Sequence, residues 1–283
     1  MTGPTVARGP VNLRLLSAAV LVAALVVVAL FAGWLAPFDP NLPDFDAVLA
    51  PPRTAHPMGT DHLGRDVLSR ILHAAQVTLV VGAISVSASF LIGTGAGLVA
   101  GYVGGWVDAV VMLVSDVLSA FPAVLLALAL AAVLGPGLVN VTLAIAVANL
   151  AVFAQLARTQ TLVVRDLGYV EARRGLGFGP WAILLGTVVP NILPPLVTQA
   201  SLVFANSILI EAYLSFLGVG VQPPDPTWGQ MLHEAMGFVD RAPWIAWFPG
   251  CAIVLAVLGF NVLGDVMGEG LDPRGIATDD DGA

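Results

Sequence analysis

Long uncharged apolar runs alternate with short polar intervals along this chain. No Asp, Glu or Arg occurs in Leu15–Phe38, Ile71–Val107, Val117–Ala157, Gly175–Ile210 or Ala242–Gly264. A membrane-spanning helix needs about 20 apolar residues, and every run supplies them. Val117–Ala157 is too long for one span and is broken by Gly135-Pro136-Gly137, a turn-forming triplet. The pattern therefore predicts an all-α integral membrane protein with six transmembrane helices. They fall near Leu13–Leu35, Val77–Val99, Val107–Leu134, Val139–Ala157, Pro195–Leu217 and Trp244–Leu263. The first has an apolar core longer than the usual ~7–15 residues of a signal peptide, so it is expected to be an uncleaved anchor.

The polar intervals divide the chain. Residues 1–36 form an N-terminal segment with the first span, and 37–76 a polar segment. Residues 77–265 form a core of five spans that encloses polar loops at 158–194 and 218–243. Residues 266–283 form an acidic tail ending in Asp279-Asp280-Asp281, expected to be solvated. Arginine sets the orientation, since cytoplasmic loops collect it. With the N-terminus inside, the inner segments hold Arg8, Arg14, Arg158, Arg165, Arg173, Arg174 and Arg274, and the outer ones Arg53, Arg65, Arg70 and Arg241. That places both termini and 158–194 in the cytoplasm, and 37–76 and 218–243 outside. Trp34, Trp106, Trp244 and Trp247 fall at span ends, where an interfacial aromatic belt would sit.

Composition agrees: 58% of residues are hydrophobic and 11% charged, against about a quarter charged in soluble domains. The single cysteine, Cys251, lies in the last span, so no intrachain disulfide is possible. The chain has no lysine and no G-x-x-x-x-G-K-[ST] phosphate loop. Neither G-x-S-x-G nor H-E-x-x-H occurs. No ATP-binding or hydrolytic motif is therefore carried here, and nothing points to nucleic acid.

Several polar groups stand out against the apolar background. His56, Asp61, His62, Asp66 and His73 cluster in the outer segment. Imidazole and carboxylate are common metal ligands, so a metal site or a membrane-embedded metal-dependent hydrolase is one reading. The other is structural: turns at Gly59 and Gly64, then an amphipathic helix from Asp66 at the membrane surface, oriented by Arg65 and Asp66. That second reading is preferred, with no metal. Asp108, Asp116 and Glu211 lie in or near spans, where ionisable groups are costly and usually face a cavity or a partner. Asp108 is expected at the inner interface. Asp116, before a kink site at Phe121-Pro122, and Glu211 could each pair locally as structural groups or line a polar pathway through the membrane. Small residues at Gly93, Gly97, Gly101 and Gly105, and again at Ser119, Ala123, Ala127, Ala131 and Gly135, make smooth stripes for close helix packing. The last glycines of the first stripe are expected in a loop.

The most unusual interval is YVEARRGLGFGPWAILLGTVVPN, Tyr169–Asn191. It predicts a short polar helix with Glu171 in its first turn, where a carboxylate suits the positive helix end. Ala172 keeps the helix surface small, and Arg173 and Arg174 make it basic, as an ordinary amphipathic surface helix would also be. Gly177 and Gly179 can take positive φ and stop the helix, and Pro180 can start the next segment.

Glu171-Ala172, Gly177 and Pro190-Asn191 at this spacing resemble the EAA loop of bacterial ABC importer permeases. HPMGTDHLGRDVLSRIL (56–72), GYVGGWVD (101–108), AFP (120–122), LGPGLVNV (134–141), LSFLGVGVQPPDPTWGQML (214–232), APWIAWFPG (242–250) and LDPR (271–274) extend the resemblance over nearly the whole chain. They are similar to the second permease subunit of dipeptide, oligopeptide and nickel importers. The resemblance implies a type I importer permease fold in the bacterial inner membrane, surrounded by lipid. It implies a second homologous permease, two ATP-binding cassette ATPases holding the ATP and Mg, and an extracytoplasmic substrate-binding protein. Glu171, Ala172, Arg173, Arg174, Gly177 and Gly179 would form the coupling helix that docks on an ATPase. Pro224, Asp225 and Trp228 would shape the outer mouth and meet the binding protein. The GTD and GRD motifs account for the outer segment without its histidines. Arg173 stands where relatives usually carry Ala, and Gly186-Thr187 where they carry a basic residue. Gln76 and Leu113 likewise replace usual arginines. The substrate expected is a di- or oligopeptide, with nickel or a metallophore as the alternative.

Overall fold

The computed structural model describes residues 11–271, with side chains over 16–268. Arg8, Arg274 and the Asp279-Asp280-Asp281 tail lie outside the described residues, and Arg14 outside the described side chains. The described chain is helical: α1 (Val11–Leu30), α2 (Ala32–Leu35), a 3-10 turn at Phe45–Ala47, α3 (Val67–Val103), α4 (Gly105–Ser119), α5 (Ala123–Leu134), α6 (Leu138–Arg165), α7 (Gly168–Gly175), α8 (Pro180–Ile183), a π-turn at Leu184–Val188, α9 (Val189–Phe216), α10 (Trp228–Ala235) and α11 (Trp244–Leu271). Among the described residues the only β-pairing is an isolated bridge between Thr60 and Asp66.

Four helical stretches are long and apolar enough to cross a membrane: Val67–Val103, Leu138–Arg165, Pro180–Phe216 and Trp244–Gly268. α4 and α5 pass the same test jointly, as one broken span, and Leu16–Leu30 adds a shorter apolar helix. Two expectations need correction. The residues after Asp66 do not form a separate surface helix. They are the first turns of α3, a single 37-residue helix. At 1.5 Å per residue it is about 55 Å long, against a hydrocarbon core of about 30 Å, so its polar start projects well beyond the apolar slab or the helix tilts strongly. Nor is Val107–Leu134 one helix. It bends by 90° between α4 and α5, at Pro122, whose ring cannot continue a helix that lacks its N–H donor.

α3 and α6 pack along their length because glycine removes the side chains between them. A Cβ added at Gly93 would lie 2.6 Å from the Leu150 carbonyl oxygen, and one at Gly97 only 2.1 Å from that of Ala154. Gly101 belongs to this contact as well, against Arg158 and Thr161, and is helical rather than part of a loop. Ala127 and Ala131 of α5 are completely enclosed. Gly93, Gly97 and Gly101 of the first stripe and Ala127 and Ala131 of the second thus serve packing within the chain.

Large apolar side chains such as Leu91, Val133 and Leu258 face outward, as lipid-facing surfaces require. Trp34, Trp106 and Trp247 are exposed at helix ends. Trp244 differs from the belt expectation: it is half-buried and its indole donates to the Thr60 carbonyl at 3.1 Å.

Hydrogen bonds sort the connections onto two ends. Gly137 N–H bonds the Gly220 carbonyl at 3.1 Å, and Arg65 reaches Glu234 at 2.7 Å, so 135–137, the 37–66 segment and the 218–243 loop share one end. Arg165 reaches the Gly101 carbonyl at 2.6 Å and Arg158 pairs with Asp108, which gathers α7 with the α3–α4 junction on the other. The 37–66 segment and the 218–243 loop thus lie together, at the end opposite α7.

Candidate functional site

α7 is a helix of eight residues with Glu171 in its first turn. Its stop is chemically specific. Gly177 has φ +83°, and its N–H donates to the Arg174 carbonyl at 3.0 Å while Phe178 N–H donates to that of Arg173 at 3.2 Å. This is a Schellman motif, in which a left-handed residue satisfies the last carbonyls. A Cβ at Gly177 would meet nothing within 4 Å, so glycine is required there by backbone conformation and not by crowding. Gly179 departs from expectation: its φ is −68°, and it serves as the N-cap of α8. Pro180 sits at the start of α8, as expected.

The side chains of α7 divide into two sets. Glu171, Ala172 and Arg174 are exposed, together with Leu176 at the C-cap and Phe178 and Trp181 beyond the stop. Val170 is fully enclosed with Val164, Ile183, Leu184 and Val188. Arg173 also turns inward, contrary to its expected direction. Its guanidinium donates to the Thr187 hydroxyl and to the Gly186 carbonyl at 3.4 Å, and it lies 5.0 Å over the Phe178 ring. It thus occupies the neighbourhood of Gly186-Thr187. Arg174 lies over Tyr102 of α3 at 5.7 Å.

The three acids in spans have different surroundings. Asp108, in the first turn of α4, is held by Arg158 through two short bonds, 2.5 and 2.6 Å. Asp116 is exposed. Gln155 donates to it at 3.4 Å and to the Ser119 hydroxyl at 3.2 Å, and Thr159 is exposed one turn further along α6. Asp116, Ser119 and Thr159, with half-buried Gln155, make a polar strip on a face left exposed among the described residues. Glu211 is fully buried. It accepts from Ser215 at 2.7 Å and Thr78 at 3.2 Å. It therefore ties α9 to α3.

At the opposite end the outer histidines and acids separate into two groups. Asp66 caps α3 by accepting from Ser69 N–H at 2.8 Å, and its other oxygen lies 2.9 Å from His56 Nδ1. Gly59 and Gly64 have φ of +74° and +78°, as a double turn requires. Asp61 and Glu234 are bridged by Arg65, at 2.6 and 2.7 Å, and by Arg70, at 3.5 and 3.4 Å. The potential ligand atoms of Asp61, His62 and Glu234 lie within 4.8 Å of one another. Two guanidinium groups already neutralise those carboxylates, so the charge that would attract a cation is spent. Glu234 and Arg70 were not distinguishable as partners in the sequence; the only signal is opposite charge in two loops on the same side. Pro224 and Asp225 are exposed. Trp228 is not: it is 1% exposed, donates to the Ile71 carbonyl at 3.2 Å and belongs to the core that seats α10 on α3. It cannot touch a binding protein in this arrangement.

Residues 93–276 match the family described as binding-protein-dependent transport system inner membrane component. The chain belongs to that family. Glutathione transport system permease protein GsiD of Pectobacterium atrosepticum is 43% identical over 259 residues, covering 91% of this chain and 86% of the relative. The di/tripeptide transport system permease protein DppC of Pseudomonas aeruginosa is 41% identical over 256 residues, 88% of this chain and 84% of the relative. The probable D,D-dipeptide transport system permease protein DdpC of Escherichia coli is 40% identical over 258 residues, 91% and 87%. This inner membrane component is thus a transport subunit with several apolar spanning helices, and the EAA-like stretch at α7 is consistent with its family.

Proposed function

We propose that this permease pairs with a second, homologous permease to form the pathway of an ATP-driven importer for di- or oligopeptides. Six spans with both termini in the cytoplasm put α7 beneath the membrane. Two ATPases, holding ATP and Mg, would dock there, and an extracytoplasmic binding protein would deliver substrate to the other end. The observation that carries the reading is α7 itself: a short polar helix, stopped by a Schellman glycine, that exposes Glu171 and Ala172 together with Leu176, Phe178 and Trp181. Such a surface has little use in water alone and suits a groove on a partner. ATPase closure would displace α7 and rock the helices between two conformations, so that the pathway changes the side it faces.

Asp116 is the group assigned to the pathway. A carboxylate, an amide and hydroxyls on an exposed strip of a membrane span are costly against lipid and favour a water-filled conduit between the two permeases. Glu211 is assigned to tying α9 to α3, and Pro224 and Asp225 remain the candidates for binding-protein contact. A peptide substrate is supported by relatives named for glutathione and dipeptides. The test is calorimetry on the cognate binding protein with a dipeptide, glutathione and Ni²⁺, followed by uptake in proteoliposomes holding the full complex. Binding and ATP-dependent uptake of a peptide support the reading; binding of Ni²⁺ with no peptide overturns the substrate class.

A further inference from the structure

The α9 span begins with a backbone that is short of donors. Pro190 has no N–H, so it cannot bond the carbonyl four residues earlier, that of Gly186. Pro194 and Pro195 repeat the deficit one turn later, inside the helix. The chain responds with a π-turn over Leu184–Val188, a wide turn that costs regular hydrogen bonding and recurs at functional sites. Asn191 Nδ2 donates to the Thr187 carbonyl at 2.6 Å. The remaining donor comes from another helix: Arg173 of α7 bonds the Gly186 carbonyl and the Thr187 hydroxyl. A Cβ at Gly186 would meet only Arg173 Nη1, at 3.5 Å. The guanidinium is thus fitted to a bare stretch of backbone. Together with Val170 and the ring contact of Arg174 with Tyr102, it holds α7 to the body of the protein.

We propose that Arg173 is a positioning residue that ties α7 to the π-turn at the start of α9, so that displacement of α7 is passed into that span, and that it is not an ATPase contact. The π-turn and three nearby prolines make the start of α9 the part of this span most easily deformed, and Arg173 grips it there. The proposal rests on α7 being the coupling helix. It adds that the motion leaves α7 through one side chain directed away from the docking face.

The test uses the assembled importer, both permeases and both ATPases, in nanodiscs. Cys251→Ser removes the one native cysteine, and nitroxide labels are placed at Leu113→Cys on α4 and Leu193→Cys on α9, both exposed. The distance between the labels is measured before and after trapping with ATP and vanadate, which needs no substrate. Arg173→Ala, Arg173→Lys, Thr187→Val and the double variant Arg173→Ala/Thr187→Val are compared. The parental complex should show a shift on trapping. Arg173→Ala should keep both ATPases bound while the shift falls about twofold or more, and Arg173→Lys should restore it. The double variant should lose less than the sum of the single changes, as expected for residues in contact. An unchanged shift in Arg173→Ala, or loss of ATPases from it, overturns the proposal. If Arg173→Ala fails to assemble, a full shift in Thr187→Val overturns it instead. Gly177→Val separates the two levels. If that variant keeps its ATPases and its full shift, the coupling reading fails. If it loses them while Arg173→Ala shifts normally, only the relay fails.

Discussion

Asp116 and Glu211 are both carboxylates in apolar surroundings, and their neighbours give them opposite fates. Asp116 is exposed and only loosely held, by Gln155 at 3.4 Å. Asp116→Asn should therefore assemble normally and lose uptake, measured as ATP-dependent accumulation of a labelled dipeptide in proteoliposomes; parental uptake would contradict its place in the pathway. Glu211 is fully buried and accepts from the hydroxyls of Thr78 and Ser215. Glu211→Ala leaves those donors buried without an acceptor, at about 1–3 kcal/mol for an unsatisfied group. It should lower the thermal midpoint of the purified complex, and Glu211→Gln should lower it less. The sequence marked both residues as unusual but could not tell them apart. That depends on which helices pack against Thr78 and which leave Gln155 uncovered.

Among the elements, α10 shows how a loop becomes part of the core. Trp228 enters the apolar cluster of α3 and α9, and Glu234 closes the charge network with Arg65, Arg70 and Asp61. Arg70 is completely buried. Removing one partner from a buried network typically costs about 3–5 kcal/mol because the other charges lose their compensation. Arg70→Ala should therefore loosen the outer segment, read as faster proteolysis between residues 37 and 66 in the intact complex. Trp228→Ala, a large core deletion of about 3–5 kcal/mol, should do the same. The turn glycines Gly59 and Gly64 and the cap Asp66 were legible because their local chemistry has few alternatives. The long α3 was not legible, since hydropathy falls over its first turns while the helix continues. There Val67, Ser69, Arg70 and Ile71 are buried against other segments, and tertiary contacts replace the membrane as the apolar partner. The α4–α5 bend could be located at Pro122 from sequence, but not its angle, which depends on how α5 packs on α6.

At the scale of the whole molecule, apolar runs, loop charges and turn residues together make most spans and the polar α7 readable. They act locally, and each points to the same architecture. Side-chain directions were the part that could not be read. Arg173 looked like a surface cation and instead faces the π-turn, and Gly179 looked like a second helix stop and is an N-cap. The central claim is that α7 couples ATP hydrolysis to transport. It is tested most directly by Gly177→Val beside Glu171→Ala in the assembled complex, read as co-purification of the ATPases and substrate-stimulated ATP hydrolysis in liposomes. Valine at a φ of +83° is strained by about 1–3 kcal/mol and disrupts the Schellman stop, while the apolar spans are untouched. Gly177→Val should thus insert and pair with the second permease yet lose the ATPases or their stimulation, with Glu171→Ala showing a milder form of the same defect. Full ATPase binding and full stimulation in both variants would contradict the account.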